Sequence, residues 1–282
     1  MPPSNGQKKL RVDRGEIELM AAAALVINEC RYELAARKRN IVTEVTAGEA
    51  AILEWQHYPA EDAYDAQSHA QYFYHAHPLP GRPLQEHGHF HTFLRADGMP
   101  AGVAPLLLPE MAVADVPALT PQAPPLKRGS REEVSHLVAI AVDAQGEPLR
   151  LFTTNRWVTG ETWYRADDVI RMIECFAISG PEPSEAINRW IGAIIQLFRP
   201  QIGALLRARD VAVMAWRRRR RSYVFEDPAL EITSSVEIRL DAQLAFLDQA
   251  RSRQTARPSQ LKILPTMAEG WVEDPPAQVE RD

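Results

Sequence analysis

The segments that decide the fold of this chain are QYFYHAH at residues 71–77 and HGHFHTFLR at residues 87–95. Both are rich in aromatic residues, and histidine alternates with other residues in the second, which is typical of β-strands. Three prolines and a glycine lie between the segments and predict a loop. We therefore expect an antiparallel pair of strands. The expected facing pairs are His75 with His89, His77 with His87, and Phe73 with His91.

The histidines of these strands are expected to share one face, because residues two apart in a strand point the same way. Facing Cβ atoms lie about 5 Å apart, so the imidazoles could offer several nitrogen ligands to one metal ion. A slip of one residue would send the two sets to opposite faces. Imidazole ligands without a nearby thiol suit iron, zinc, manganese, copper or nickel. The predicted ligands are His75, His77, His87, His89 and His91.

Two further residues are candidates for catalytic roles beside this cluster. Glu86 adjoins it and could serve as a carboxylate ligand, as support for a ligand or as a general base. His136 begins a later strand and is expected to approach from the side in the same roles. Three alternatives to a metal site remain open: a pH-sensitive surface, a polar catalytic patch without metal, and a chance clustering of histidines.

The rest of the chain predicts helices on both sides of a sheet. A second hairpin is expected, with a strand from His136 to Val142, a turn, and a return strand from Glu147 to Val158. The fold class that follows is α+β, a central antiparallel sheet with flanking N-terminal and C-terminal helices, and closure into a barrel stays open. Helices are expected at residues 13–39, 47–55, 167–178 and 184–221, the last interrupted at Pro200, with a strand and a helix at 230–249.

The expected domain organisation is a single α+β domain over residues 13–265. Within it, residues 13–58 are expected to be helical, 70–165 rich in β-structure and 167–250 helical. Residues 1–12 are expected to be a flexible N-terminus, and the acidic residues 266–282 a disordered tail.

The composition of the 282 residues is that of a globular protein, with 45% hydrophobic and 24% charged residues. The net charge of −5 argues against a protein that coats nucleic acid or anionic lipid. Two cysteines cannot build a disulfide framework, and the longest apolar run, Met20 to Asn28, is too short to span a bilayer. We therefore expect a cytoplasmic protein without a membrane partner. Seven of the eight histidines lie between His57 and His91, which concentrates the functional question there.

The segment from Thr153 to Trp163 is rich in side chains that could bind substrate. Asn155, Arg156 and Trp157 are the predicted substrate-binding residues. Arg156 is the best single candidate, because a guanidinium can bind a carboxylate or a phosphate through two hydrogen bonds. The alternative is a structural corner in which Arg156 pairs with Glu161.

The run Arg217–Arg221 could bind RNA, DNA or an acidic partner. Five consecutive helical residues spread around more than one turn, and the acidic tail could also pair with them, so nucleic acid is not the expected partner. The chain contains no phosphate-binding glycine loop, no GxSxG and no CxxC motif.

The sequence resembles an uncharacterised bacterial protein family over most of its length. The matching strings are WQHYP at 55–59, YHAH at 74–77, EHGHFH at 86–91 and TNRWVTGETW at 154–163. This resemblance implies no established activity. The spacing from Gly81 to His87-Gly-His89 is also similar to the opening of the first cupin motif. Cupins are small β-barrels that often hold iron, manganese, zinc or nickel, so this similarity implies that His87 and His89 ligate a metal.

Three functions are consistent with these patterns. The first is a histidine-rich, metal-dependent enzyme with a non-haem centre that performs hydrolytic or oxidative chemistry on a small or anionic substrate. The second is a non-catalytic metal-binding accessory, sensor or maturation partner that uses the same histidines. The third is an interaction module based on the arginine run. A small-molecule or peptide substrate and a homodimer are left open.

Overall fold

The computed structural model describes residues 11–47, 53, 55–76, 85–106, 108, 133–220, 223–256 and 262–263. Its α-helices are α1 Arg14–Ala36, α2 Ile41–Val45, α3 Arg156–Thr159, α4 Ala166–Ile173, α5 Glu185–Leu197, α6 Arg199–Arg220 and α7 Leu240–Ala256. Its strands are β1 Arg11–Val12, β2 Tyr58–Tyr64, β3 Ala70–His75, β4 Gly88–Arg95, β5 Val134–Val142, β6 Pro148–Thr154, β7 Ile232–Glu237 and β8 Lys262–Ile263.

Six of the strands form one antiparallel sheet in the order β2-β3-β4-β5-β6-β7, so each strand pairs with its neighbour along the chain. The predicted α+β class with a central antiparallel sheet and flanking helices is confirmed. Within the described residues β2 and β7 are edge strands and do not pair with each other. The sheet is therefore open, and the alternative of closure into a barrel, which the cupin similarity also implies, is wrong.

One face of the sheet packs on the helices and forms the main core. Tyr72, Tyr74 and Phe90 from β3 and β4 are fully buried in it. The ring of Phe90 lies 5.7 Å from that of Trp190 on α5. Leu94 of β4 belongs to the same core. The other face of these strands is thereby left for the histidines.

Local sequence accounts for where most helices begin and end. Asp13 caps α1, because its carboxylate accepts a hydrogen bond from the Glu16 amide and its own amide donates one to the Glu16 carboxylate. The predicted interruption at Pro200 is confirmed, since α5 ends at Leu197 and α6 begins at Arg199. The predicted strand and helix at 230–249 correspond to β7 and α7.

The structure corrects the prediction between residues 39 and 64. The short helix lies at Ile41–Val45, where Asn40 caps it. In the predicted interval 47–55, residues 48–52 and 54 lie outside the described residues, and Trp55 has a φ of 66°, which an α-helix does not allow. The helical region was predicted to extend to residue 58, whereas strand β2 begins at Tyr58 and continues to Tyr64.

The return strand of the second hairpin is shorter than predicted. It ends at Thr154, because the Asn155 side chain accepts a hydrogen bond from the Arg156 amide and starts α3. Several predictions lie outside the described residues: the ligand role of His77, most of the loop between the two strands, at 77–84, and the tail at 266–282. Among the described helices, none has the combination of length and apolarity that crossing a bilayer requires.

Candidate metal centre

The β3–β4 register brings three histidines together on the face opposite the helices. His75 lies opposite His89, and Phe73 lies opposite His91, as predicted from the sequence. All three histidines are at most 9% exposed. The side chains share this face because 73 and 75 are two residues apart on one strand and 89 and 91 are two apart on the other.

The three imidazoles can offer nitrogen ligands to one ion. One ring nitrogen from each of His75, His89 and His91 lies within 4.8 Å of the others. The Nε2 atoms of His75 and His89 are 2.8 Å apart. Two nitrogens that bind the same tetrahedral ion at about 2.1 Å are about 3.4 Å apart, so a small separation of these rings creates the required geometry. No fourth histidine or acidic residue belongs to this group in the described part of the chain.

Glu86 determines which nitrogen of His89 is available. Its Oε1 lies 3.0 Å from His89 Nδ1, and its Oε2 accepts a hydrogen bond of 2.8 Å from Arg150 Nη2. A carboxylate only accepts, so His89 donates from Nδ1, and in the neutral imidazole the lone pair is then on Nε2. Burial raises the pKa of Glu86, but the hydrogen bond from His89 and the charge of Arg150 outweigh it and hold the pKa below its usual value. Carboxylates orient metal-binding histidines in the same way.

His136, on strand β5, contacts His91, the third histidine of the group. Its Nε2 lies 3.0 Å from Nδ1 of His91, and its backbone amide donates to the Glu161 carboxylate at 2.7 Å. Burial lowers the pKa of His91 well below its usual value, and the neighbouring His89 and His136 lower it further. Burial likewise lowers the pKa of His136 to about 3. Both rings are therefore neutral, the form in which imidazole binds metals.

A second carboxylate–histidine pair lies at the edge strand β2. His57 Nδ1 is 2.8 Å from Asp62 Oδ1, and the ring of His57 stacks on Phe73 with centroids 3.6 Å apart. Gln71 donates to the other oxygen of Asp62 at 2.6 Å and accepts from Arg95 at 2.8 Å. The β2 register shifts between Tyr58 and Ala63, on either side of Asp62, so residue spacing alone did not predict the contact between Asp62 and His57.

His87 is not part of the three-histidine group. Its Nδ1 lies 2.6 Å from the hydroxyl of Tyr74, whose ring belongs to the helix-packed face. The predicted register assumed that the strand already includes residue 87, whereas β4 begins at Gly88. A Cβ at Gly88 would lie 2.4 Å from both the His75 carbonyl oxygen and the Tyr74 hydroxyl, so only glycine permits this close approach. The ligand role of His87 has no geometric support in this arrangement.

The three predicted substrate-binding residues all have structural partners. Asn155 is fully buried and donates to the Val224 carbonyl at 2.7 Å. Arg156 forms an ion pair with Glu226 and donates to the Glu161 carbonyl at 3.0 Å. Trp157 Nε1 donates to the Leu230 carbonyl at 2.8 Å. This corresponds to the alternative of a structural corner, although Arg156 pairs with the side chain of Glu226 and not with that of Glu161. A role in substrate binding remains a prediction.

The described part of the arginine run forms the end of α6. Arg217 is partly buried, Arg218, Arg219 and Arg220 are exposed, and Arg220 lies 5.1 Å from the ring of Trp216. Arg221 lies outside the described residues. Partner binding by this run remains a prediction.

A known protein family matches most of this fold. Residues 20–238 match the family described as a domain of unknown function, DUF6969. The chain belongs to this family. The match begins in α1 and ends just after β7, so it includes the whole six-stranded sheet and all three histidines. DUF6969 is an uncharacterised family, which agrees with the resemblance to a family without an established activity. Neither the curated proteins nor the solved structures gave a match.

Proposed function

We propose that His75, His89 and His91 bind one transition-metal ion and that this DUF6969 protein is a metal-dependent enzyme. The observation that carries the proposal is the Glu86 carboxylate at Nδ1 of His89, which leaves Nε2 facing His75 Nε2 at 2.8 Å. Two imidazoles that present Nε2 atoms to the same place, one of them oriented by a buried carboxylate, form a typical metal-binding arrangement.

A set of three protein ligands favours an enzyme over a metal-binding accessory protein. A structural zinc site normally has four protein ligands, whereas a catalytic site has three and keeps a position for water or substrate. A metal in this position can activate water, polarise a substrate oxygen or bind oxygen. The metal identity decides between hydrolytic and oxidative chemistry. A closed sphere of four protein ligands would instead favour a metal-binding accessory protein.

The test is elemental analysis of the purified protein beside two single-histidine variants. His89→Ala removes the oriented ligand, whereas His69→Ala removes a histidine whose Nδ1 bonds to Tyr64 outside the cluster. We expect one transition-metal ion per chain in the wild type and in His69→Ala, and its loss from folded His89→Ala. Folded wild type that stays metal-free after incubation with zinc, iron, manganese, copper or nickel salts would contradict the proposal.

X-ray absorption of the loaded protein distinguishes the two uses of the site. Three nitrogen ligands with an additional exchangeable oxygen support the enzyme. Four protein ligands without an exchangeable oxygen support the accessory function.

A further inference from the structure

Strand β6 places an arginine on the same face as the candidate metal centre. Across the sheet, His89 lies opposite Ala141 and Ala141 lies opposite Arg150. In the next row, His91 lies opposite Ala139 and Ala139 lies opposite Phe152. Only the small alanine side chains of β5 therefore separate the histidines from the side chains of β6.

The guanidinium of Arg150 extends back toward the histidines. It donates from Nη2 to Glu86, whose other oxygen contacts His89, and it lies 4.5 Å from the ring of Phe152. The ring of Phe152 is in turn 4.9 Å from that of His89. Arg150 is thus connected to the candidate ligand His89 by a hydrogen-bonded path and by a ring contact.

One donor of this guanidinium has no acceptor within the described part of the chain. This donor is the buried Nε of Arg150. Buried polar groups are almost always hydrogen-bonded, so an orphaned donor of a charged side chain indicates a missing acceptor. A guanidinium has five N–H donors in a rigid fork, and the Glu86 contact uses only the Nη2 side.

The charge balance of the site also favours an anion. Arg150 and Glu86 form an ion pair. Asp62 and Arg95 carry opposite charges and are bridged by Gln71. Glu161, which accepts from the His136 amide, interacts with the positive charge of Arg209. A divalent ion on three neutral imidazoles would therefore leave two positive charges uncompensated in a buried place, which is costly unless an anion accompanies the ion.

We infer that Arg150 and the metal ion together bind an oxyanion, so the substrate is a small molecule with a carboxylate or phosphate group. This inference rests on the proposed metal centre. It assigns the anion-binding role to Arg150 instead of Arg156. The guanidinium of Arg156 is already paired with the Glu226 carboxylate and the Glu161 carbonyl.

The test measures binding of inorganic phosphate and of acetate to the zinc-loaded protein by calorimetry at constant ionic strength. Arg150→Gln is compared with Arg199→Gln, a matched control because the two arginine side chains are similarly exposed, at 20% and 29%, and each pairs with one glutamate. We expect Arg150→Gln to weaken binding of the preferred anion by about tenfold to a hundredfold, the effect of losing a charged hydrogen-bond donor. Arg199→Gln should bind as the wild type does. The preferred anion identifies the substrate group.

Zinc content is measured in every sample, because Arg150 also contacts Glu86. If Arg150→Gln loses zinc, Arg150→Lys replaces it, since lysine keeps the charge but lacks the fork, and weaker anion binding with full zinc content is again expected. Equal anion binding by the wild type and a zinc-loaded Arg150 variant would overturn the inference. Loss of zinc from both Arg150→Gln and Arg150→Lys would also overturn it, as would a zinc-loaded wild type that binds neither anion.

The outcome also separates this inference from the proposed function. A wild type that binds no metal but binds phosphate or acetate through Arg150 refutes the metal centre and the joint binding by metal and arginine, and it retains only Arg150 as an anion-binding residue. A wild type that binds neither metal nor anion refutes both.

Discussion

Replacement of Glu86 by glutamine tests how the candidate centre selects a histidine tautomer. Glu86 is 5% exposed and accepts from His89 Nδ1 on one side and from Arg150 Nη2 on the other. A glutamine has one acceptor oxygen and one donor nitrogen, so it cannot accept on both sides. If the oxygen faces Arg150, the amide donates to His89 Nδ1 and moves the imidazole proton to Nε2, where it blocks metal binding. If the oxygen faces His89, two buried donors face each other at Arg150.

Either orientation lowers metal affinity in Glu86→Gln. Loss of a carboxylate that orients a metal-binding histidine typically costs about tenfold to a hundredfold in affinity, which corresponds to about 1.4–2.8 kcal/mol. A buried donor left without an acceptor costs about 1–3 kcal/mol, so the two routes to the magnitude agree.

Zinc affinity is measured by competition with a chromophoric chelator at about neutral pH. The matched control is Glu44→Gln, because the Glu44 side chain is 7% exposed and also accepts from an arginine, Arg39, at 2.9 Å, but belongs to α2. We expect wild-type affinity in Glu44→Gln. The reasoning about the tautomer is refuted if folded Glu86→Gln binds zinc within about threefold of the wild type while His89→Ala does not bind it.

Substitutions at Gly88 and at Glu161 test the strand pairing and the buried acid, with Gly192→Ala as the control for the first. Gly88→Ala places a Cβ within 2.4 Å of the His75 carbonyl oxygen and should lower the free energy of unfolding by about 1–3 kcal/mol. Gly192→Ala in α5, where a Cβ meets nothing within 4 Å, should raise it by about 0.5–1 kcal/mol. Denaturant unfolding measures both changes, and changes of the same sign would contradict the packing argument. Burial raises the pKa of Glu161 to about 7 from its usual 4.5, so the folded protein retains a proton that the unfolded chain releases, and stability falls as pH rises through this window. The stability advantage of Glu161→Gln over the wild type should therefore grow by about 3 kcal/mol between about pH 4 and pH 8, and an advantage independent of pH would refute the buried acid.

The sequence predicted the central register because the pattern is local. Alternating histidines on two segments joined by one loop leave few ways to pair, so the His75–His89 and Phe73–His91 pairs followed from residue spacing. The position of His87 did not follow, since strand pairing alone cannot show that Tyr74 would bond to it. The role of each remaining histidine depends on such side-chain contacts.

Contacts of the carboxylates and arginines around the site were harder to predict when the two contacting residues are far apart in the sequence. Glu86 is three residues from His89 and was named as a candidate, and its contact with His89 agrees with the supporting role. Glu161 is 25 residues from His136, and Arg150 is 64 residues from Glu86, so only the fold brings them together. Strand β2 was also missed, because its bulge and its partly exposed pattern hide the period of two on which strand prediction depends.

The attachment of the three histidines to adjacent, hydrogen-bonded strands has a consequence for how an ion enters and leaves. In small zinc domains the donors are scattered until the ion collects them, so metal uptake and folding are a single event. Here the backbone ladder between β3 and β4 already holds the donors in place, together with the core beneath them. Uptake is therefore simple association with a prepared chelator. A chelating agent should empty the protein and a metal salt refill it while the circular dichroism and the melting cooperativity of the chain persist.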